Sequence, residues 1–201
     1  MILGKSELLD FVRNMRTRDH VIMFYTDQKD KHLVLFTYLT AGLDAGEAAI
    51  YVAGEESSHQ IREAMKSFGL DVEYYEGTGA LRILDYRDWY ITGGQFDIGR
   101  TISLWKKSLD EALARGFKGL RVTGEMAFFF RHNMVHELIQ YERALHRVLK
   151  IPLSAICAYD DTVVVKGARE NQCLMLYLNL ISAHSTILFL GPEEAGMIKV
   201  V

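Results

Sequence analysis

An apolar run from His20 to Thr26 leads into Tyr25-Thr26-Asp27-Gln28-Lys29-Asp30-Lys31-His32, and a helical pattern follows. A strand running into a helix is where a phosphate-cradling loop, GxxxxGK[ST], would sit. There the glycines let the backbone wrap the phosphates, the lysine neutralises charge and the Ser/Thr hydroxyl holds magnesium. Lys31 stands where that lysine would. Tyr25 and Asp30 fill both glycine positions, and His32 replaces the hydroxyl. Side chains there crowd the backbone and block left-handed dihedrals. Asp27 and Asp30 would also repel phosphate. The expectation is the layout of a nucleotide site without its chemistry, and no ATP hydrolysis.

Other residues gather at predicted strand ends. Glu55 or Glu56 closes one strand and Glu125 another, where such acids can cap the helices that follow. Lys31 could pair with Asp27 or Glu125. Trp89, Tyr90, Phe128, Phe129, Phe130 and Tyr159 could line an apolar pocket with a few polar anchors, or pack as core between helices and sheet. His132 and His136 form HxxxH in a helical stretch, a spacing that puts two imidazoles on one face. Asn133 follows the first of them, so the HExxH of a zinc protease is missing, and a surface pair is expected. His20 and His184 begin strands, which places them at the edge opposite a carboxyl-end cleft. Cys157 and Cys173 lie in apolar surroundings and read as buried free thiols. No Ser/His/Asp order or carboxylate pair identifies a hydrolase.

These residues need elements to hold them. Helices are expected over Ser6–Met15, Lys31–Ala45, Ser57–Phe68, Asp97–Arg115, within Met126–Leu149, and over Glu170–Ile181. Strands are expected over His20–Thr26, Glu47–Ala53, Asp71–Tyr75, Ala80–Tyr86, Leu120–Thr123, Leu153–Tyr159 and Thr186–Leu190. Alternation of this kind gives a three-layer α/β fold, a mainly parallel sheet with helices on both faces. Ligands of such sheets bind at the carboxyl ends of the strands.

With 201 residues, 49% of them hydrophobic, the chain suits one domain with a full core. The net charge is −3 and the basic residues are scattered, which argues against direct nucleic-acid binding. Apolar runs are too short to span a membrane, the N-terminus turns charged too early for a secretory signal, and free thiols fit a reducing cytoplasm.

The segment LTAGLDAGEAAIYVAGEES, Leu39 to Ser57, resembles the stretch after the phosphate loop in RecA/KaiC-type ATPases, and LRVTGE, Leu120 to Glu125, resembles a strand that ends in a magnesium-ordering acid. The chain as a whole resembles the MEDS family, the sensory domain of the DcmR regulator and of methanogen and methylotroph proteins. That likeness runs from about His20 to Gly191. It rests on DHVIMFY, GLDAGEAAIYV, WYITGGQFD, GLRVTGEM, AICAYD and AHSTIL. It implies a RecA/KaiC-like core without an intact phosphate loop that senses small molecules, hydrocarbon derivatives among them, and signals to an attached or partner protein. The acid of the family's GD/EM motif is Glu125, and an aromatic expected soon after Met126 appears as Phe128 to Phe130. No DNA-binding or kinase segment is attached, so the output would lie in another chain.

The combined expectation is a sensory domain over residues 20–191, preceded by a helix and lead-in over 1–19 and followed by a tail over 192–201. Its ligand contacts are expected among Tyr25, Asp27, Lys31, Glu55, Arg121, Glu125, Phe128, Tyr159 and Asp160. No catalytic set, metal site or cofactor is expected. The partners are a small organic ligand and a regulatory protein, with a homo-oligomer open to a RecA-like layout. A residual ATPase using Lys31, Glu55 and Glu125 is the alternative, and an assembly module a further one.

Overall fold

A computed structural model describes residues 2–148, 152–170, 174–191 and 194–200. In chain order the first elements are β1 (Ile2–Leu3), α1 (Lys5–Arg13), β2 (His20–Tyr25), α2 (Gln28–Asp44), β3 (Ala48–Ala53), α3 (Ser58–Phe68) and α4 (Val72–Gly77). Next come β4 (Leu81–Asp85), α5 (Tyr86–Tyr90), the small hairpin β5 (Ile91–Thr92) and β6 (Gln95–Phe96), and α6 (Ile98–Ala114). The chain continues through β7 (Leu120–Glu125), α7 (Ala127–Arg131), α8 (Val135–Val148), β8 (Leu153–Asp160) and α9 (Asp161–Glu170). It ends with α10 (Leu174–Ser182), β9 (Thr186–Leu190) and β10 (Ala195–Lys199).

The main sheet runs β1-β10-β9-β2-β8-β7-β3-β4, parallel from β9 to β4 and antiparallel where β10 and β1 are added at one edge. Strands β2, β3 and β7 are buried along their whole length, as apolar runs covered on both faces must be. Alternate residues feed two separate cores. Val21, Met23, Tyr25, Tyr51 and Ile156 pack with α1, α2 and α3. Ile22, Phe24, Val122, Cys157 and Tyr159 pack with α5 to α8 on the other face. This two-residue period decides which functional side chains can meet. No described helix is long and apolar enough to cross a membrane.

Several boundaries differ from the sequence reading, each for a local reason. Helix α2 starts at Gln28, three residues before Lys31, because the Asp27 carboxylate caps it by accepting from Lys29 N (2.8 Å) and Asp30 N (3.2 Å). The segment expected as a strand at Asp71 is helix α4, capped by Asp71 itself. The long helical stretch after Met126 is two helices. Asn133, with φ of 55°, turns the chain between α7 and α8. Helix α9 was hidden by its Val163-Val164-Val165 run and by Gly167; packing of Val164 into the core overrides those weak propensities. Helix α1 is capped at Gly4, not Ser6, and the stretches on either side of residues 20–191 supply β1 and β10 to the sheet edge. The expected helix from Glu170 is found over Leu174–Ser182; residues 171–173, Cys173 included, lie outside the described residues.

Candidate functional site

At the carboxyl ends of β2, β3 and β7, on the α2/α3 face, Lys31 is surrounded by acids. Its Nζ lies 2.6 Å from Glu125 Oε1, 3.0 Å from Glu56 Oε2 and 3.5 Å from Glu55 Oε2. The lysine is fully buried. Desolvation opposes its charge, but Glu125 and Glu55 more than offset that, and the amine titrates above the ordinary lysine value. Glu125 is equally committed. Beyond Lys31 it accepts from Tyr51 Oη (2.6 Å), Gly54 N (2.7 Å) and Glu55 N (2.7 Å). Burial works against its carboxylate, yet Lys31 and these donors hold it below the usual range. Gly54 makes the arrangement geometrically possible, because a Cβ there would sit 2.5 Å from the Glu125 carbonyl oxygen. Glu55 is the strained member: burial and the neighbouring Glu125 raise its pKa despite Lys31, and Tyr25 Oη donates to it.

The structure therefore joins Tyr25, Lys31, Glu55 and Glu125, four of the residues expected at this edge. Asp160 borders this group, and the structure separates the rest. Asp27 is exposed and spends its carboxylate on the helix cap, so it is not the partner of Lys31. Asp160 sits beside Tyr25 in the β2–β8 register and bonds Thr162 N (2.9 Å) at the start of α9. Arg121 lies four residues before Glu125, roughly 13 Å away along the strand. There it binds Glu47 (2.6 Å) and the carbonyls of Tyr38, Val12, Arg13 and Met15, a clamp at the sheet's other end. Phe128 is fully buried and stacks on Tyr86 and Tyr90, with ring centroids 4.6 and 5.1 Å apart. Most of the aromatic set is core of this kind; only Phe130 reaches a groove. Tyr159 points to the opposite face from Tyr25, as strand alternation requires. His132 and His136 belong to different helical segments, and both are exposed.

Tyr159 leads to a second polar cluster that the sequence reading did not assemble. Its hydroxyl donates to Glu142 Oε1 at 2.5 Å. Glu142 Oε2 lies 3.4 Å from Cys157 Sγ, 3.4 Å from His20 Nε2 and 3.5 Å from His184 Nε2. All four of these residues are buried. Glu142 had a visible signal: it interrupts the Leu138–Tyr141–Leu145 stripe of α8 with a carboxylate on the core face. Glu56 and Tyr51 also join the Lys31 network, and an aromatic hydroxyl one strand from Glu125 carried no distinguishing mark.

Among the described residues, open grooves at the carboxyl edge include two. One, of about 300 Å³, lies among Tyr86, Arg87, Ile91, Gly94, His132 and Met134. The other, of about 480 Å³, lies between α7 and α9 and is lined by Phe130, Arg131, Thr162, Val163, Lys166 and Gly167.

A family model described as MEDS, the methanogen/methylotroph, DcmR sensory domain, matches residues 19–171. A UPF0273 protein of Aeropyrum pernix is 30% identical over 95 residues, covering 42% of this chain and 38% of that protein. A UPF0273 protein of Pyrococcus furiosus is 46% identical over 48 residues, 24% of this chain and 19% of its own length. The chain thus spans well under half the length of these curated relatives. The crystal structure of a KaiC-like protein from Pyrococcus horikoshii superposes with a TM-score of 0.60 at 15% identity, covering 92% of this chain and 80% of that one. That likeness establishes the RecA/KaiC-like fold.

Proposed function

Because the chain belongs to the MEDS family, we propose that it is a non-catalytic sensory domain that binds a small organic molecule at the carboxyl edge of its sheet and signals to a partner protein. The observation that carries this is the state of Lys31. In a RecA-like layout the loop lysine serves the phosphates. Here Lys31 is buried among Glu55, Glu56 and Glu125, and a triphosphate would have to displace three carboxylates to reach it. Nucleotide chemistry has been exchanged for an internal ion network, leaving the edge of the sheet open to another ligand.

The groove between α7 and α9 suits a short organic acid. Phe130 gives an apolar wall, Arg131 and Lys166 give positive charge, and Thr162 gives a hydroxyl. Arg131 also donates to Gly54 O (3.3 Å), next to the backbone N–H that holds Glu125. A ligand that engaged Arg131 would compete with this bond and shift the population of the loop after β3, which a partner could read.

The test is a thermal-shift and native mass-spectrometry titration with Mg·ATP and, separately, short-chain carboxylic acids, alcohols and amines. Stabilisation by an organic compound and none by millimolar Mg·ATP is expected. Stabilisation by Mg·ATP together with turnover would instead support the residual ATPase. No response to any organic compound would remove the support for a ligand at this edge.

A further inference from the structure

The cluster of His20, Glu142, Cys157 and His184 joins β2, α8, β8 and the turn before β9. Register explains how it assembles. His20 pairs with Ala155 and Ile22 with Cys157, so His20 and Cys157 are diagonal neighbours on one face of adjacent parallel strands. Helix α8 packs over that face and lowers Glu142 onto them.

The hydrogen-bond inventory of this cluster does not close on itself. His20 Nδ1 lies 2.9 Å from Ala183 O, and His184 Nδ1 lies 2.6 Å from Leu180 O. A carbonyl only accepts, so both Nδ1 atoms carry the hydrogen and both Nε2 atoms present lone pairs in the neutral rings. Those lone pairs face Glu142 Oε2, itself an acceptor, at 3.4 and 3.5 Å. Among the described residues, Cys157 S–H donates to that oxygen, and His184 Nε2 is buried without a hydrogen-bond partner. Three acceptor atoms converge with too little positive charge between them. Fixing an imidazole through Nδ1–H to a backbone carbonyl, with Nε2 turned inward, is how proteins hold histidine ligands of metals.

We propose that His20, Glu142, Cys157 and His184 form a binding site for a divalent transition-metal ion of the zinc class. Donor type and spacing agree. A tetrahedral zinc site with bonds of about 2.1 Å to nitrogen and oxygen and about 2.3 Å to sulfur has ligand–ligand edges of about 3.4–3.6 Å. His20–Glu142, Cys157–Glu142, His184–Glu142 and His20–Cys157 are already 3.4, 3.4, 3.5 and 3.5 Å apart, and all four ligand atoms lie within 4.8 Å of one another. Charge agrees as well. On binding, Cys157 gives its proton to solvent. The thiolate and carboxylate then neutralise the dication, so the buried site carries no net charge. Four protein ligands leave no open position, which marks the site as a staple between the sheet and α8 and not as a catalytic centre. The exposed His146, one turn beyond Glu142, stacks at 5.8 Å on His20 and lies on the solvent side.

The experiment uses the full chain, stripped with a chelator and titrated with Co²⁺, then with Zn²⁺ as competitor. One equivalent of Co²⁺ is expected to produce thiolate-to-cobalt charge-transfer absorption and the intense d–d bands of a four-coordinate ion, both erased by Zn²⁺. Cys157→Ser should abolish the charge-transfer band. Tyr159→Phe, which removes only the hydrogen bond to Glu142, should weaken Zn²⁺ binding by about 10- to 100-fold while leaving the band in place. A folded chain that takes up neither ion overturns the proposal, as does a charge-transfer band that persists in Cys157→Ser, which would place the ion elsewhere. Should Cys157→Ser fail to fold, Glu142→Gln answers the same question through loss of affinity. None of these readouts depends on the organic ligand proposed above.

Discussion

Lys31 Nζ and Glu125 Oε1 stand 2.6 Å apart, both fully buried, at the carboxyl edge of the parallel strands. The pair is the centre of the network, since Glu125 accepts four hydrogen bonds and Lys31 reaches three carboxylates. Lys31→Met should therefore act on folding before it acts on any ligand. It leaves Glu125 charged and buried beside Glu55, at a cost of about 3–5 kcal/mol. For a chain of this size that lowers the melting temperature by roughly 10 °C. Adding Glu125→Gln should recover much of the loss. If Lys31→Met melts like the parent, the lysine is not part of the structural network and the nucleotide reading revives.

Glu55 and Glu125 share one lysine but should have opposite pH signatures. Glu125 has a depressed pKa in the fold, so the unfolded chain binds more protons near and below the usual carboxylate pKa. Its stabilisation is present above that value and is lost as pH falls. Glu55 has a raised pKa from burial and from Glu125, so the folded chain binds more protons and stability falls as pH rises above the usual carboxylate value. The groups facing it are Tyr25, Lys31, Glu125 and Asp160. Glu55→Gln should stabilise the chain at pH 8, with the gain shrinking toward about pH 4.5. Glu125→Gln should destabilise it by about 2–3 kcal/mol at pH 8, with the loss shrinking in acid. Urea unfolding of both variants at several pH values checks the signs. Parallel profiles would contradict the assignment.

Arg131→Ala tests the groove between α7 and α9 without touching the core. Arg131 is exposed and donates to Gly54 O at 3.3 Å. Stability should change by no more than about 1 kcal/mol. Any thermal shift by a carboxylic acid should fall sharply, since the cation that fixes the carboxylate is gone. Isothermal titration of the responding acid against both proteins reads this directly. Equal affinity would move the site away from Arg131.

The sequence disclosed the layered fold because its strands are apolar runs that end at glycine- or acid-marked turns, as AAIYVAGEE does. It disclosed Lys31 because a known loop pattern fixes where the lysine falls, and Glu55 and Glu125 because the strands they close resemble those of RecA/KaiC-type ATPases. It did not disclose the face of the sheet on which each residue sits. Tyr25 and Tyr159 both near strand ends look equivalent in one dimension. A two-residue period and the parallel register send one to Glu55 and the other to Glu142. The second cluster draws on residues 20, 142, 157 and 184, whose separations follow no local rule, so only the packing of α8 on β2 and β8 brings them together. Arg121 misled for the same reason: its strand ends in the site, but the residue itself begins that strand.

Gly42 and Arg121 offer a prediction in which local propensity and tertiary packing give opposite signs. Gly42 lies inside α2, where alanine would ordinarily stabilise a helix by about 1 kcal/mol. A Cβ at that position, however, would stand 2.7 Å from Arg121 Nε and closer still to its Cδ. Arg121 cannot swing aside cheaply. It is buried, stacked over the Tyr38 ring at 5.0 Å, and bonded to Glu47 and to the carbonyls that end α1. Gly42→Ala should thus destabilise the chain by about 1–3 kcal/mol. In an Arg121→Met background, where the guanidinium clamp is already lost, the same change should cost much less, and a double-mutant cycle in urea measures the difference. If Gly42→Ala stabilises the parent, the clamp yields easily and Arg121 is not what holds α1 against the sheet.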